Sequence, residues 1–73
     1  MKTNAIENRL REYRLRSGLT QEDLAGRVKV ARQTINLIEA GKYNPSLRLC
    51  LALSWQLQAT LNDIFWMEEE TDV

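Results

Sequence analysis

The sequence predicts an all-α domain, and three observations carry the prediction. Apolar residues recur three and four positions apart instead of alternating, which is the period of helices and not of strands. Cap and stop signals break the chain into short segments: Thr20 and Thr60 each have an aspartate three residues on, and Gly18 and Gly41 follow apolar stripes. The length, 73 residues, suits one small helical domain spanning 1–73, near the limit at which a single core suffices, so a dimer that buries more surface would help it.

Five helices are expected. Ile6, Leu10 and Tyr13 share the apolar face of the first, and Ser17 and Gly18 end it. Thr20 caps the second, with Asp23 completing a weaker version of the capping box, and Leu24, Ala25 and Val28 form its stripe. Residues 29–31 leave room only for a tight turn before the third helix, where Ile35 and Ile38 face the core and Gly41 is the stop. Asn44, Pro45 and Ser46 make a turn and a cap ahead of the strongly apolar "LRLCLALSWQL". In that fourth helix Leu47, Cys50, Leu51, Ser54 and Leu57 are assigned to the core, with Ala52 and Trp55 on the side of Arg48. Thr60 and Asp63 open a brief fifth helix carrying Leu61, Ile64 and Phe65, and the acidic tail at about 68–73 is expected to fray.

Composition narrows the chemistry. The chain has no histidine and one cysteine, Cys50, which lies in an apolar stripe and reads as packing. No intramolecular disulfide, metal site, cofactor or catalytic role is expected. The absence of a long apolar run or a basic leader points to a cytoplasmic protein with no membrane partner. The net charge of zero hides an asymmetry: all ten bases lie between Lys2 and Arg48 against five acids, a local +5, and the remaining five acids follow without a base. On charge alone, solvated helix faces with a solubilising tail explain this as well as a field that steers an anionic partner.

The third helix is more specific. With Ala31, Ile35 and Ile38 on its core side, the opposite side offers Arg32, Gln33, Asn36 and Leu37, with Thr34 on the flank. A guanidinium, two primary amides and an aliphatic group are the side chains that read base edges in a major groove. A surface helix needs polar residues in any case, so this face decides nothing without its context.

That context is a resemblance. Residues 21–40 resemble the helix-turn-helix of the Xre/Cro-type transcriptional regulators, with Leu24, Ala25, Val28, Val30, Ile35 and Ile38 at the family's apolar offsets. The flanks "GLTQEDLA" and "RQTINLIEAGKYNPS" are similar as well, and the likeness extends over roughly residues 6–66. It implies a five-helix bundle of the lambda-repressor-like type, with a minimal β pairing between residues near the N-terminus and residues 65–67. It implies that Arg32, Gln33, Thr34 and Asn36 meet base edges or nearby phosphates. Gln21, in the first turn of the second helix, and Lys42, Tyr43 and Asn44 after the third would follow the DNA backbone. Tyr43 fits packing equally well, and Lys29 fits either a phosphate contact or plain solvation. Arg14 and Glu39 would form an ion pair joining the first and third helices.

Three residues depart from the family's pattern. Lys29 stands where glycine is common, Ala31 where a serine or threonine caps the third helix, and Leu37 is an aliphatic residue expected to be exposed on the reading face. The implied function is a sequence-specific regulator of double-stranded DNA: a homodimeric repressor on a palindromic operator, its interface built from Leu61, Ile64, Phe65 and Trp66. The same fold also serves as an antitoxin or as a protein-interaction module.

Overall fold

In the computed structural model, which describes residues 6–67, five helices follow a short strand and precede another. The order is β1 (Ile6–Asn8), α1 (Leu10–Arg16), α2 (Gln21–Val28), α3 (Arg32–Glu39), α4 (Leu47–Gln56), α5 (Leu61–Ile64) and β2 (Phe65–Met67). The expected tail at 68–73 lies outside the described residues. Each helix sends at least one fully buried side chain to the centre: Leu10, Leu24, Ile35 with Ile38, Leu53, and Ile64. No helix among the described residues is long and apolar enough to cross a membrane.

Local chemistry sets the boundaries. The two Thr–Asp pairs are complete capping boxes, Thr20 with Asp23 and Thr60 with Asp63. In each, the threonine hydroxyl accepts from the aspartate N–H and the carboxylate accepts from the threonine N–H. The backbone and hydroxyl hydrogen bonds from Thr20 and Thr60 hold Asp23 and Asp63 below the usual carboxylate range. At their other ends α1 to α4 stop in the same way. A left-handed residue, Gly18, Lys29, Gly41 or Gln58, is followed by an N–H that returns five residues to a helical carbonyl. These bonds are Leu19 to Arg14, Val30 to Ala25, Lys42 to Leu37 and Ala59 to Ser54, all between 2.9 and 3.2 Å. Lys29 thus accepts the left-handed conformation at φ 62° and keeps the turn that glycine would make.

The small terminal sheet is present. β1 pairs antiparallel with β2, matching Ile6 to Met67, Glu7 to Trp66 and Asn8 to Phe65. This corrects the start of the first helix, because Ile6 lies in the strand. Asn8 marks the switch: its Oδ1 accepts the Leu10 N–H at 3.0 Å, and its Nδ2 donates to the Ile38 carbonyl at 2.9 Å.

The register of α4 is the second correction. Cys50, Leu53, Ser54 and Leu57 face the core, and Leu47 and Leu51 are 65% and 50% exposed. An almost uniformly apolar helix leaves its rotation open, and here the complete i, i+3, i+4, i+7 stripe is buried. Ser54 is accommodated inside because its Oγ donates to the Cys50 carbonyl at 2.9 Å. Burial pushes the Cys50 thiol up from its ordinary value.

Candidate nucleic-acid interface

α2 and α3 pack closely across the turn at residues 29–31, and Ala25 allows their approach because it is small and 2% exposed. Ile35 and Ile38 anchor α3 from within, leaving Arg32, Gln33 and Asn36 exposed on its outer side and Thr34 half-buried at the flank. Ala31 provides no side-chain cap for α3. Leu37 is half-buried, which corrects its assignment as an exposed aliphatic group.

Beneath this face lies a continuous polar network. Arg14 Nε donates to Glu39 Oε2 at 2.7 Å, Arg14 Nη2 to Glu39 Oε1 at 3.2 Å and Arg14 Nη1 to the Leu19 carbonyl at 2.9 Å. Both side chains of this ion pair are over nine-tenths buried, and no buried side-chain polar atom among the described residues lacks a partner. Gln21 connects the pair to the surface. Its Nε2 donates to Glu39 Oε1 at 3.1 Å and to Asn36 Oδ1 at 3.3 Å, and its Oε1 accepts from Arg32 Nη1 at 3.3 Å.

Lys29, Lys42, Tyr43 and Asn44 are all exposed, Lys42 to Asn44 on the segment after α3. A shallow cleft brings Lys29 and Tyr43 together with Ser46 and Arg48 at the start of α4. On the other side Arg11 of α1 lines a cleft with Gln21, Asn36 and Glu39. The sequence reading did not single out Arg11 or Arg48 for this surface. Helical spacing places each only on its own helix, and the meeting of Arg11 with α3 and of Arg48 with Lys29 and Tyr43 is tertiary.

The four residues assigned to a dimer interface divide by burial. Ile64 and Phe65 belong to the core of one protomer at 0% and 6% exposure, which corrects the expectation that they meet a second chain directly. Leu61 and Trp66 are half-buried, and the Arg9 guanidinium stacks over the Trp66 ring at 5.1 Å from its centroid.

Comparison with known proteins adds independent findings. A helix-turn-helix family model matches residues 10–64. A helix-turn-helix-type transcriptional regulator of Archaeoglobus fulgidus is 45% identical over 65 residues, covering 89% of this chain and 93% of the relative. The Bacillus subtilis regulator YgzD is 43% identical over 65 residues, covering 89% and 98%. Among solved structures, the restriction-modification controller protein C.AhdI of Aeromonas hydrophila superposes with a TM-score of 0.71 and 36% identity, over 75% of this chain and 83% of that one. SinR, a master regulator of biofilm formation solved in complex with DNA, gives a TM-score of 0.69 at 27% identity, over 74% and 87%.

Proposed function

This chain belongs to the Xre-like helix-turn-helix family of DNA-binding transcriptional regulators, which are not enzymes, and from that premise we propose that it is a homodimeric repressor acting on a palindromic operator. α3 enters the major groove. Arg32, Gln33, Thr34 and Asn36 meet base edges or the nearest phosphates, and the protein represses by occupying promoter DNA in the cytoplasm. The observation that carries this reading is the division of α3, with Ile35 and Ile38 buried and Arg32, Gln33 and Asn36 exposed on the far side. Lys29, Lys42, Tyr43 and Asn44 follow the backbone, Lys42 neutralising charge, and the backbone N–H of Gln21 at the start of α2 approaches a phosphate.

Dimerisation is supported by the apolar surface one protomer leaves uncovered. Leu61 and Trp66 lie at its edge, with Ile64 and Phe65 supporting them from the core, and Met67 is 53% exposed. Trp55 of α4, 82% exposed, borders a groove lined also by Thr60 and Asp63 and adds to the exposed apolar area. Two copies related by a two-fold axis would place their α3 helices in successive major grooves, about 34 Å apart.

Selection of bound sequences from random duplex DNA tests the operator, its symmetry and its half-site spacing together. A palindrome with half-sites one helical turn apart is expected. Gln33→Ala or Asn36→Ala should each relax preference at one base position by about 1–3 kcal/mol, whereas Lys42→Ala should weaken all duplexes alike. Equal binding of every variant to selected and random duplexes would overturn the assignment.

A further inference from the structure

Arginines stand at residues 9, 11, 14 and 16, and all but one of them are engaged within the protein. The Arg9 guanidinium stacks over Trp66, and Arg14 is held by Glu39 and by the Leu19 carbonyl. Arg16 Nη2 donates to Glu12 at 2.6 Å, and its guanidinium lies 4.9 Å from the centroid of the Tyr13 ring. Arg11 is exposed and has no ion pair, side-chain hydrogen bond or stacked ring among the described residues. Its place gives that free charge a direction. Arg11 lines a cleft with Arg14, Gln21, Asn36, Glu39 and Ala40, and of these Asn36 and Ala40 are exposed one turn apart on α3. The small methyl of Ala40 leaves the rim of the cleft open. Glu39 does not neutralise Arg11, because its oxygens already accept from Arg14 Nε, Arg14 Nη2 and Gln21 Nε2. With two arginines against one glutamate, the cleft is left positive where α2 begins at Gln21.

We propose that Arg11 is a further DNA-binding residue, whose guanidinium grips a backbone phosphate beside the base that Asn36 meets. This rests on the reading of α3 as the helix in the major groove. A helix lying in that groove has a phosphate strand along each flank, and α1 supplies Arg11 to one of them. The cleft holding Lys29, Tyr43, Ser46 and Arg48 shares no residue with the Arg11 cleft, so the two serve separate phosphates. A guanidinium suits this task because its planar fork can donate to two phosphate oxygens at once and its charge is permanent. Such a contact adds affinity and fixes how α3 sits in the groove, and it reads no base.

The test measures the salt dependence of binding for the wild type, Arg11→Gln and Arg16→Gln on the selected duplex, with thermal melting to verify that each is folded. Arg16→Gln is the control, since it removes the same charge from the same helix but from a guanidinium already paired with Glu12. A dimer carries two copies of Arg11, so Arg11→Gln should reduce the slope of log affinity against log salt by about 1.8, and Arg16→Gln by less than about 0.5. A methylphosphonate scan, which neutralises one phosphate at a time, then locates the contact. In the wild type, one phosphate per half-site beside the base position identified by Asn36→Ala should weaken binding by about threefold or more when neutralised. Arg11→Gln should lose that sensitivity, keep the others and keep the base preferences of the wild type.

Three results would overturn the proposal: equal salt slopes for Arg11→Gln and Arg16→Gln, the same pattern of phosphate sensitivity in Arg11→Gln as in the wild type, or an altered base preference in Arg11→Gln. If Arg32→Ala, Gln33→Ala and Asn36→Ala all left the wild-type preferences intact, the placing of α3 in the groove would itself be at fault.

Discussion

Glu39→Ala should remove a large share of the protein's stability, although it deletes a side chain outside the apolar core. The carboxylate accepts from Arg14 Nε, Arg14 Nη2 and Gln21 Nε2, and truncation leaves all three donors without it. Arg14 would keep only its 2.9 Å bond to the Leu19 carbonyl, with its side chain 9% exposed. Breaking a buried pair from one side costs about 3–5 kcal/mol, and the lower figure is expected here because water can reach Gln21. A 73-residue domain has roughly 4–11 kcal/mol in total, so this loss would lower the melting temperature by roughly 12–24 °C. The Arg16–Glu12 pair is an internal control: its contact is 2.6 Å but its side chains are 62% and 51% exposed, and Glu12→Ala should cost less than about 0.5 kcal/mol. Urea unfolding followed by circular dichroism measures both. The double variant Arg14→Met with Glu39→Leu should lose much less than the sum of its single variants, since an apolar pair leaves no stranded charge. A cost below about 1 kcal/mol for Glu39→Ala, or strict additivity in the double variant, would refute the reasoning.

Ala31→Ser should add the missing cap of α3 and raise stability by about 1 kcal/mol in the same unfolding assay. Lys29→Gly and Gln58→Gly should each relieve a left-handed side chain, at φ 62° and 54°, and stabilise by about 0.5–1 kcal/mol. Only Lys29→Gly should also reduce affinity for DNA in a salt-dependent way, because it alone removes a cation from the proposed backbone path. Asp23 and Asp63 titrate below the usual carboxylate range in the folded state, so their contribution is complete above the ordinary aspartate pKa and is lost as pH falls through the lower folded value. Unfolding measured at neutral pH and through the acid range should therefore show a smaller acid-dependent loss in the variant Asp23→Asn with Asp63→Asn than in the wild type.

What could be read from the sequence was what is local. The Thr–Asp capping boxes, the glycine stops and the paired isoleucines of α3 depend on residues within one turn of each other, and each lies where its spacing put it. The rotation of α4 was misread because "LRLCLALSWQL" is apolar on nearly every side, so the choice of Leu53 over Leu51 depends on the neighbouring helices. Asn8 was missed for a related reason. A three-residue strand has too few positions to show alternation, and the partner that makes it a strand is almost sixty residues away in sequence, from Asn8 to Phe65. The site divides along the same line. The outward set on α3 follows from helical angle, but the bonds that orient the helix run to Gln21, Arg14 and Asn8, between residues that no short-range pattern connects.

The eight residues of α3 could not hold a shape alone, since isolated helices of that length are marginal in water and this one begins without a side-chain cap. Its rigidity is therefore borrowed. At the C-terminal end the Ile38 carbonyl accepts from Asn8 and the Leu37 carbonyl from Lys42, which ties the last turn to β1 and to the following loop. Toward the N-terminal end Arg32 and Asn36 are bonded to Gln21, and Gln21 to a carboxylate held by Arg14. Apolar packing of Ile35 and Ile38 fixes the depth of the helix, but packing alone does not set which atoms of an amide face outward. That information resides in the hydrogen-bond polarity beneath the face. A substitution in the Arg14–Glu39 pair should consequently disturb base preference as well as stability, whereas an apolar core substitution of equal cost should lower stability and leave the preference of the folded fraction intact.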